Sequence, residues 1–154
     1  MAEIKEVYSP KVYPEEAKVK LEKLLEETKE TRQILDKLDI DVSSTASPTI
    51  ETLKSWGRLA IGHGNYLRKK LAKIRSAKVN EEGNRCMDIK IECSKKGITY
   101  SDSATKTEAS AYVAPLRTVR DIFEAYVISA DNIISVCRMC LFESQKEQNN
   151  PVDL

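Results

Sequence analysis

The segment Lys54–Lys78, KSWGRLAIGHGNYLRKKLAKIRSAK, predicts a long amphipathic helix on which the fold depends. Apolar and small residues recur in it at alternating steps of four and three, and this spacing places them along one face of a helix. We call this face the apolar seam and expect it to pack against a second helix. Its residues are Leu53, Gly57, Ala60, Gly64, Leu67, Leu71 and Ile74.

Three glycines, Gly57, Gly62 and Gly64, lie in the first half of this predicted helix. Glycine in a helix interior costs about 1 kcal/mol relative to alanine, so their presence needs a structural reason. One explanation is a kink around Gly62 and Gly64. The other is the close approach of a second helix at Gly57 and Gly64, which lie on the apolar seam. We favour the close approach.

The same segment carries eight cations, and no acid occurs between Glu51 and Glu81, in a chain of 154 residues whose net charge is +1. By helical spacing, Tyr66, Lys69, Lys70 and Lys73 share the face opposite the apolar seam. Cations beside an exposed aromatic ring are typical of proteins that bind single-stranded nucleic acid. Trp56 lies near the edge of the seam and fits the core equally well. The candidate nucleic-acid-binding residues are Trp56, Arg58, Tyr66, Arg68, Lys69, Lys70, Lys73, Arg75 and Lys78.

A second explanation of these charges involves the first predicted helix, which begins at Pro14 and spans about 24 residues, or roughly 36 Å. Its expected core positions are Ala17, Leu21, Leu24, Thr28, Thr31, Leu35 and Leu38. Its outer face leans acidic, so it could neutralise the basic helix across an antiparallel interface. In that case the cations would bind no ligand. We favour nucleic-acid binding because exposed ion pairs contribute at most about 1 kcal/mol each and do not require the complete exclusion of acids.

The remaining sequence predicts an extended arm over residues 1–13, a single helical domain over 14–147 and a flexible tail over 148–154. Two interpretations of the arm stay open: it is a disordered terminus, or Tyr8 and Tyr13 dock on a neighbouring subunit or helix. Residues 86–100 also allow two interpretations. Alternating apolar residues suggest a short β-hairpin, but we favour a helix that continues to about Glu92 before Gly97 stops it. The segment Thr105–Glu108 has the pattern of a capping box and predicts that a new helix begins there.

The closing segment has the most regular apolar pattern of the chain, and we expect it to form a helix that contacts two or more neighbours and supports self-association. This pattern comprises Tyr112, Leu116, Val119, Phe123, Tyr126, Ala130, Ile133, Cys137 and Cys140. The predicted fold class is therefore all-α, an elongated bundle of three to four long helices with coiled-coil-like seams. The β-hairpin near residues 86–100 is the alternative to a fully helical chain.

Catalytic and cofactor chemistry find little support in the sequence. His63 has no adjacent nucleophile or carboxylate. Cys137 and Cys140 have the spacing of zinc ligands, but both fall on the apolar pattern, where a free cysteine acts as a small hydrophobe. No phosphate loop, dinucleotide fingerprint or serine elbow occurs. We therefore expect no enzyme activity, no cofactor and no metal.

The location of the protein follows from two features of the sequence. No apolar run approaches the roughly 18 residues needed to cross a bilayer. The start, MAEIKEVYSP, lacks the apolar core of a secretory signal. We therefore expect a cytoplasmic protein without a membrane partner, in which the four cysteines stay reduced.

The order of these segments resembles the bacteriophage recombination mediator UvsY and related small helical phage proteins. The resemblance covers about residues 50–145 and is carried by LRKKLAKIRSAK (67–78), KKGITYSDSATKTEAS (95–110) and TVRDIFEAYVISADNIISVCRMCLFESQ (118–145). Members of that family bind single-stranded DNA, assemble into rings and help to load a recombinase onto strands covered by single-strand binding protein. The N-terminal arm and first helix depart from the family pattern, and the connector does not align.

The resemblance implies roles for particular residues. It assigns DNA contact to Arg68, Lys69, Lys70, Lys73 and Arg75. It assigns assembly to the closing helix, through Phe123, Tyr126, Ile133 and Ile134. We expect a homo-oligomer that binds single-stranded DNA or RNA without sequence preference, acts in recombination or replication in the cytoplasm of a bacterial host, and contacts a recombinase or single-strand binding protein. The alternative is a helical scaffold, virion or regulatory, that binds protein and no nucleic acid.

Overall fold

The computed structural model describes residues 9–149, and for residues 148 and 149 it describes the backbone alone. The described residues are helical or irregular and form no strand, so the predicted all-α class is confirmed. Tyr8 and the tail residues 150–154 lie outside the described range. Within the described range there are five helices, where the sequence predicted three to four: α1 (Glu15–Glu27), α2 (Lys29–Ser44), α3 (Ile50–Lys96), α4 (Asp102–Tyr112) and α5 (Ala114–Asn149).

The chain divides into two compact units. Unit 1 contains the residues up to Leu24 together with Ala72–Arg120, and unit 2 contains Leu25–Leu71 together with the residues from Asp121 onward. Both α3 and α5 contribute residues to each unit. The candidate residues of the sequence analysis lie on α3: those up to Lys70 belong to unit 2, and Lys73, Arg75 and Lys78 belong to unit 1.

The first helical stretch is interrupted, although the sequence predicted one continuous helix from Pro14. The helix breaks at Thr28, which has a φ of −97° and a ψ of 0° and is fully buried. Its hydroxyl donates a hydrogen bond to the carbonyl of Leu25 at 3.2 Å, a local bond that commonly bends helices. Leu35 and Leu38 are buried on α2, as their spacing predicted.

Helix α3 follows the apolar seam and spans 47 residues. Every seam residue except Gly57 is buried, which confirms the predicted face. The end of α3 also decides between a helix and a β-hairpin at residues 86–100. The hairpin is not formed, because α3 continues to Lys96, four residues past the expected end at Glu92. Gly97 then adopts a φ of +63°, and the amide of Ile98 bonds back to the carbonyl of Cys93 at 2.9 Å, which closes the helix.

The seam glycines mark a close approach of α5 to α3 within unit 2. A Cβ built on Gly64 would lie 2.9 Å from the Cβ of Ala130, closer than folded proteins allow. A Cβ on Gly57 would lie 3.8 Å from that of Cys137, an ordinary contact, and one on Gly62 would meet nothing within 4 Å. The close approach is therefore the correct explanation for Gly64, and α3 runs through this region without interruption.

One detail of the second half differs from expectation. Helix α4 begins at Asp102, not at Thr105, because the Ser101 hydroxyl caps it by accepting from the amide of Ala104 at 3.1 Å. The chain breaks only briefly at Val113, so Pro115 lies in the first turn of α5, where proline is tolerated.

Among the described residues, one helix, Ala114–Glu147, is long and apolar enough by length and composition to cross a membrane. Its most apolar window has a mean hydropathy of 1.4. The sequence prediction counted only uninterrupted apolar runs, whereas this window tolerates scattered charges such as Asp131. The match is weak evidence of a membrane span because core helices meet the same criterion.

Candidate nucleic-acid interface

Tyr66 presents an aromatic ring on the outer face of α3. Its side chain lies opposite the apolar seam, and the residue is 38% exposed. The Lys70 ammonium lies 5.4 Å from the centre of the Tyr66 ring, within the range of a cation–π contact. The same ammonium lies 3.6 Å from the carboxylate of Glu27, at the end of α1. Lys70 therefore contacts both the Tyr66 ring and the Glu27 carboxylate.

Lys69 and Lys73 continue this face along α3. Lys69 follows Tyr66 by three residues, and Lys73 follows Lys69 by one helical turn. Both side chains are exposed, and neither ammonium pairs with an acid in the range 9–149. These two lysines are therefore available to an external anion. We call Tyr66, Lys69, Lys70 and Lys73 the basic face.

Charge pairing explains part of the cation excess on α3. Arg68 pairs with Asp131 of α5 and also donates to the side chain of Asn65 at 2.8 Å. Two lysines pair with acids of their own helix, Lys54 with Glu51 at 3.3 Å and Lys78 with Glu82. Together with Lys70, which pairs with Glu27, at least four of the eight cations therefore have acidic partners.

The other predicted contacts lie outside the basic face. Trp56 is half-buried, and it precedes Tyr66 by ten residues. At 1.5 Å per residue, this corresponds to about 15 Å along the helix axis. Arg58 and Arg75 are exposed. The structure therefore places Lys69 and Lys73 beside Tyr66 and leaves Trp56 apart from them.

The four residues to which the resemblance assigns assembly are largely enclosed in unit 2. Phe123 and Ile133 are 0% and 1% exposed. Tyr126 is half-buried, its hydroxyl donates to Asp36 at 3.0 Å, and the Arg32 guanidinium lies 5.8 Å from its ring centre. Ile134 is half-buried as well. Phe123 and Ile133 therefore stabilise the chain itself, and a surface between subunits would use other residues of α5.

Unit 1 contains a buried polar cluster that the sequence reasoning missed. The guanidinium of Arg85, which is 2% exposed, bonds to the Glu108 carboxylate at 2.6 Å, and the Tyr100 hydroxyl donates to the same carboxylate at 3.3 Å. Arg85 also lies over the ring of Tyr112 at 5.6 Å. One signal could have revealed the cluster: Arg85 falls on the continuation of the apolar seam beyond Ile74, where a cation requires a buried partner.

This cluster anchors the described part of the arm. Tyr13 is buried, and its ring meets that of Tyr112 edge-on with centres 5.4 Å apart. Burial, followed by the hydrogen bond to Glu81, raises the pKa of Tyr13 above its ordinary range. Lys11 pairs with Glu92 at 2.6 Å, and this bond lowers the pKa of that carboxyl. Residues 9–14 are thus non-helical, and Lys11 and Tyr13 hold them against helices of unit 1.

The described residues contain no group of three or more His, Cys, Asp or Glu side chains arranged to hold a metal ion. Cys93 and Cys137 are buried, Cys86 and Cys140 are half-buried, and all four are free thiols. Comparison of the chain with protein-family models, with curated proteins and with solved structures gave no significant match. We therefore base the functional assignment on the chemistry of α3.

Proposed function

We propose that the protein binds single-stranded nucleic acid, DNA or RNA, without sequence preference through the basic face of α3. In this proposal it acts as a recombination or replication mediator, as its resemblance to UvsY suggests. Its proposed partners are a recombinase or single-strand binding protein, and its proposed location is the cytoplasm of a bacterial host. Neither catalysis nor a cofactor is part of the proposed role.

The observation that carries this proposal is an exposed tyrosine ring beside lysines that lack acidic partners. Lys69 and Lys73 can neutralise phosphates and release their counterions. The Lys70 ammonium lies over the Tyr66 ring, and the residue is 38% exposed, so in this proposal a base stacks on the exposed part of the ring. Such stacking contributes about 1–3 kcal/mol per base and tolerates any sequence, since every base has a planar face.

A direct test is fluorescence anisotropy of a labelled single-stranded oligonucleotide over a range of salt concentrations. With about four phosphate contacts, the slope of log K against log salt should be close to −3. Unlabelled strands of different sequence should compete about equally, because stacking and phosphate contacts do not read base edges. Absence of binding at low salt would exclude nucleic-acid binding and leave the scaffold role.

A matched pair of charge variants separates the basic face from general electrostatic attraction. The double variant Lys69→Ala/Lys73→Ala should lower affinity and reduce the magnitude of the salt slope by about 1.4, which corresponds to two lost contacts on a single strand. The control, Lys20→Ala/Lys23→Ala, removes the same charge from exposed positions on α1. If both variants weaken binding equally, the basic face has no special role.

The alternative role as a protein-binding scaffold has its own support on α5. Ile128, Met139 and Phe142 are 54%, 60% and 58% exposed and lie 11 and 3 residues apart, a spacing that places them on one helical face. We propose that this face mediates self-association. Sedimentation analysis of an Ile128→Ser/Met139→Ser variant should then show smaller assemblies than the unmodified protein. Unchanged assembly size would exclude this face.

A further inference from the structure

A small, mostly apolar pocket, which we call the slot, opens between the first part of α3 and the last part of α5, within unit 2. Its volume is about 220 Å³. Gly57, which has no side chain, and the buried Cys137 form its base. The two residues face each other, because a Cβ on Gly57 would lie 3.8 Å from the Cβ of Cys137. The walls are aliphatic and include Ile61, Ile134 and Leu141.

The size and lining of the slot restrict its occupant. Sites for small molecules usually enclose about 300–1,000 Å³ and include several placed polar groups. The slot is smaller, and its base and walls are apolar. It suits a single apolar side chain presented by a larger molecule. No aromatic residue lines it, so it offers no surface on which a base could stack.

The rim of the slot is cationic. Lys54, Arg58 and Arg138 border it, and Lys54 already pairs with Glu51 at 3.3 Å. Arg58 and Arg138 are exposed, and neither pairs with an acid between residues 9 and 149. The neighbouring sequence supplies no acid either, because residues 52–80 of α3 and 132–142 of α5 contain none. Two unpaired guanidinium groups thus flank an apolar opening.

We propose that this slot binds a short acidic segment of a partner protein. One apolar side chain of the segment enters between α3 and α5, and carboxylates on either side of it pair with Arg58 and Arg138. A guanidinium holds a carboxylate through two parallel hydrogen bonds, and arginine clusters are a recurring means of recognising acidic motifs. Arg58, which the sequence predicted as a nucleic-acid contact, is thereby assigned to a protein partner.

The test uses the full chain and fluorescence anisotropy of a labelled peptide with a central Leu-Phe pair flanked by aspartates. A second peptide replaces Leu-Phe by Gly-Ser, and a third replaces the aspartates by asparagines. We expect the first peptide to bind at least about tenfold more tightly than either control, since it alone satisfies both the slot and the arginines. Equal binding of the Gly-Ser peptide would overturn the proposal by showing that charge attraction suffices.

Variants of the protein supply the second arm of the test. Arg58→Ala/Arg138→Ala should weaken peptide binding at least about tenfold. Lys20→Ala/Lys23→Ala, which removes the same charge elsewhere, should leave it unchanged. Gly57→Met, which fills the slot from its base, should also abolish binding while circular dichroism shows native helicity. Both arginine positions are exposed, so the double variant should fold even if Gly57→Met does not.

Measuring oligonucleotide binding to the same variants distinguishes this proposal from the proposed function. Arg58→Ala/Arg138→Ala should lower the affinity for a single-stranded oligonucleotide less than it lowers the affinity for the peptide. If the double variant lowers oligonucleotide affinity tenfold and leaves the peptide unaffected, the arginines belong to the nucleic-acid site and the peptide proposal fails. Failure of the oligonucleotide to bind at all would overturn only the proposed function, since the peptide readout does not depend on it.

Discussion

The contact of α3 with α5 can be tested by two alanine substitutions only two residues apart. Alanine at either position gains about 1 kcal/mol of helix propensity over glycine. At Gly62 the new methyl group meets nothing within 4 Å, so Gly62→Ala should stabilise unit 2 by that amount. At Gly64 the methyl group would lie 2.9 Å from the Cβ of Ala130, and overpacking of this kind costs about 1–3 kcal/mol.

The expected outcome is that Gly64→Ala is less stable than Gly62→Ala by about 1–3 kcal/mol. Urea denaturation followed by circular dichroism measures this difference, and the melting temperatures should differ by about 2–4 °C per kcal/mol for a chain of this size. The variant Ala130→Gly removes the clashing methyl group. Combined with Gly64→Ala, it should recover a coupling energy of about 1–3 kcal/mol.

Two results would refute this account of the interface. Equal stability of Gly62→Ala and Gly64→Ala would mean that α5 does not approach α3 closely at Gly64. Additive effects of Gly64→Ala and Ala130→Gly would mean that the two positions do not touch, because only residues in contact show coupling of this size. Gly83→Ala provides a further control, since a Cβ at that exposed position also meets nothing within 4 Å.

Three further predictions address other parts of the chain. Arg85→Met should destabilise unit 1 by about 3–5 kcal/mol in urea, because it removes the guanidinium that neutralises the buried Glu108 carboxylate, and Glu108→Leu should restore much of the loss. Burial raises the pKa of Cys137, so fewer of its thiols are ionised than at an exposed cysteine. Iodoacetamide reacts with thiolates, and it should therefore label Cys140 first and Cys137 increasingly as the pH rises. Equal labelling of the two cysteines at pH 8 would contradict this prediction. Tyr66→Ala should cost about 1–3 kcal/mol of nucleic-acid affinity at unchanged salt slope, and a changed slope at unchanged affinity would argue against stacking.

The sequence predicted the main helices because their signal is local. The steps of four and three along α3 require no knowledge of the partner helix, and the buried seam from Leu53 to Ile74 follows from them directly. The same spacing rule predicted the close approach at Gly64. A glycine on the buried face of a helix leaves room for a second helix to come close. The outward position of Tyr66 follows as well, because it lies opposite that seam.

Helix ends were harder to predict, because the same local pattern can form a cap in one protein and be used for another contact in the next. Thr105 and Glu108 match a capping box, yet the Glu108 carboxylate is bound by Arg85, 23 residues earlier in the chain. The Thr105 hydroxyl instead donates to the carbonyl of Ser101 at 3.0 Å inside the helix. The break at Thr28 has a local cause, the bond from its hydroxyl to the carbonyl of Leu25, but a threonine that bends a helix in this way has the same local sequence as one within a continuous helix.

The candidate site shows the same division between local and distant information. Sequence placed the cations of α3 on a helix but could not tell which of them other helices neutralise. Asp131 lies 63 residues after Arg68, and Glu27 lies 43 residues before Lys70, so neither pair is visible in local spacing. The cations left unpaired after these contacts, Lys69 and Lys73 beside Tyr66 and Arg58 beside the slot, form two groups with different neighbours. An exposed aromatic ring suits a base, whereas an aliphatic slot suits a side chain. The two proposals thus assign two kinds of partner to one basic helix.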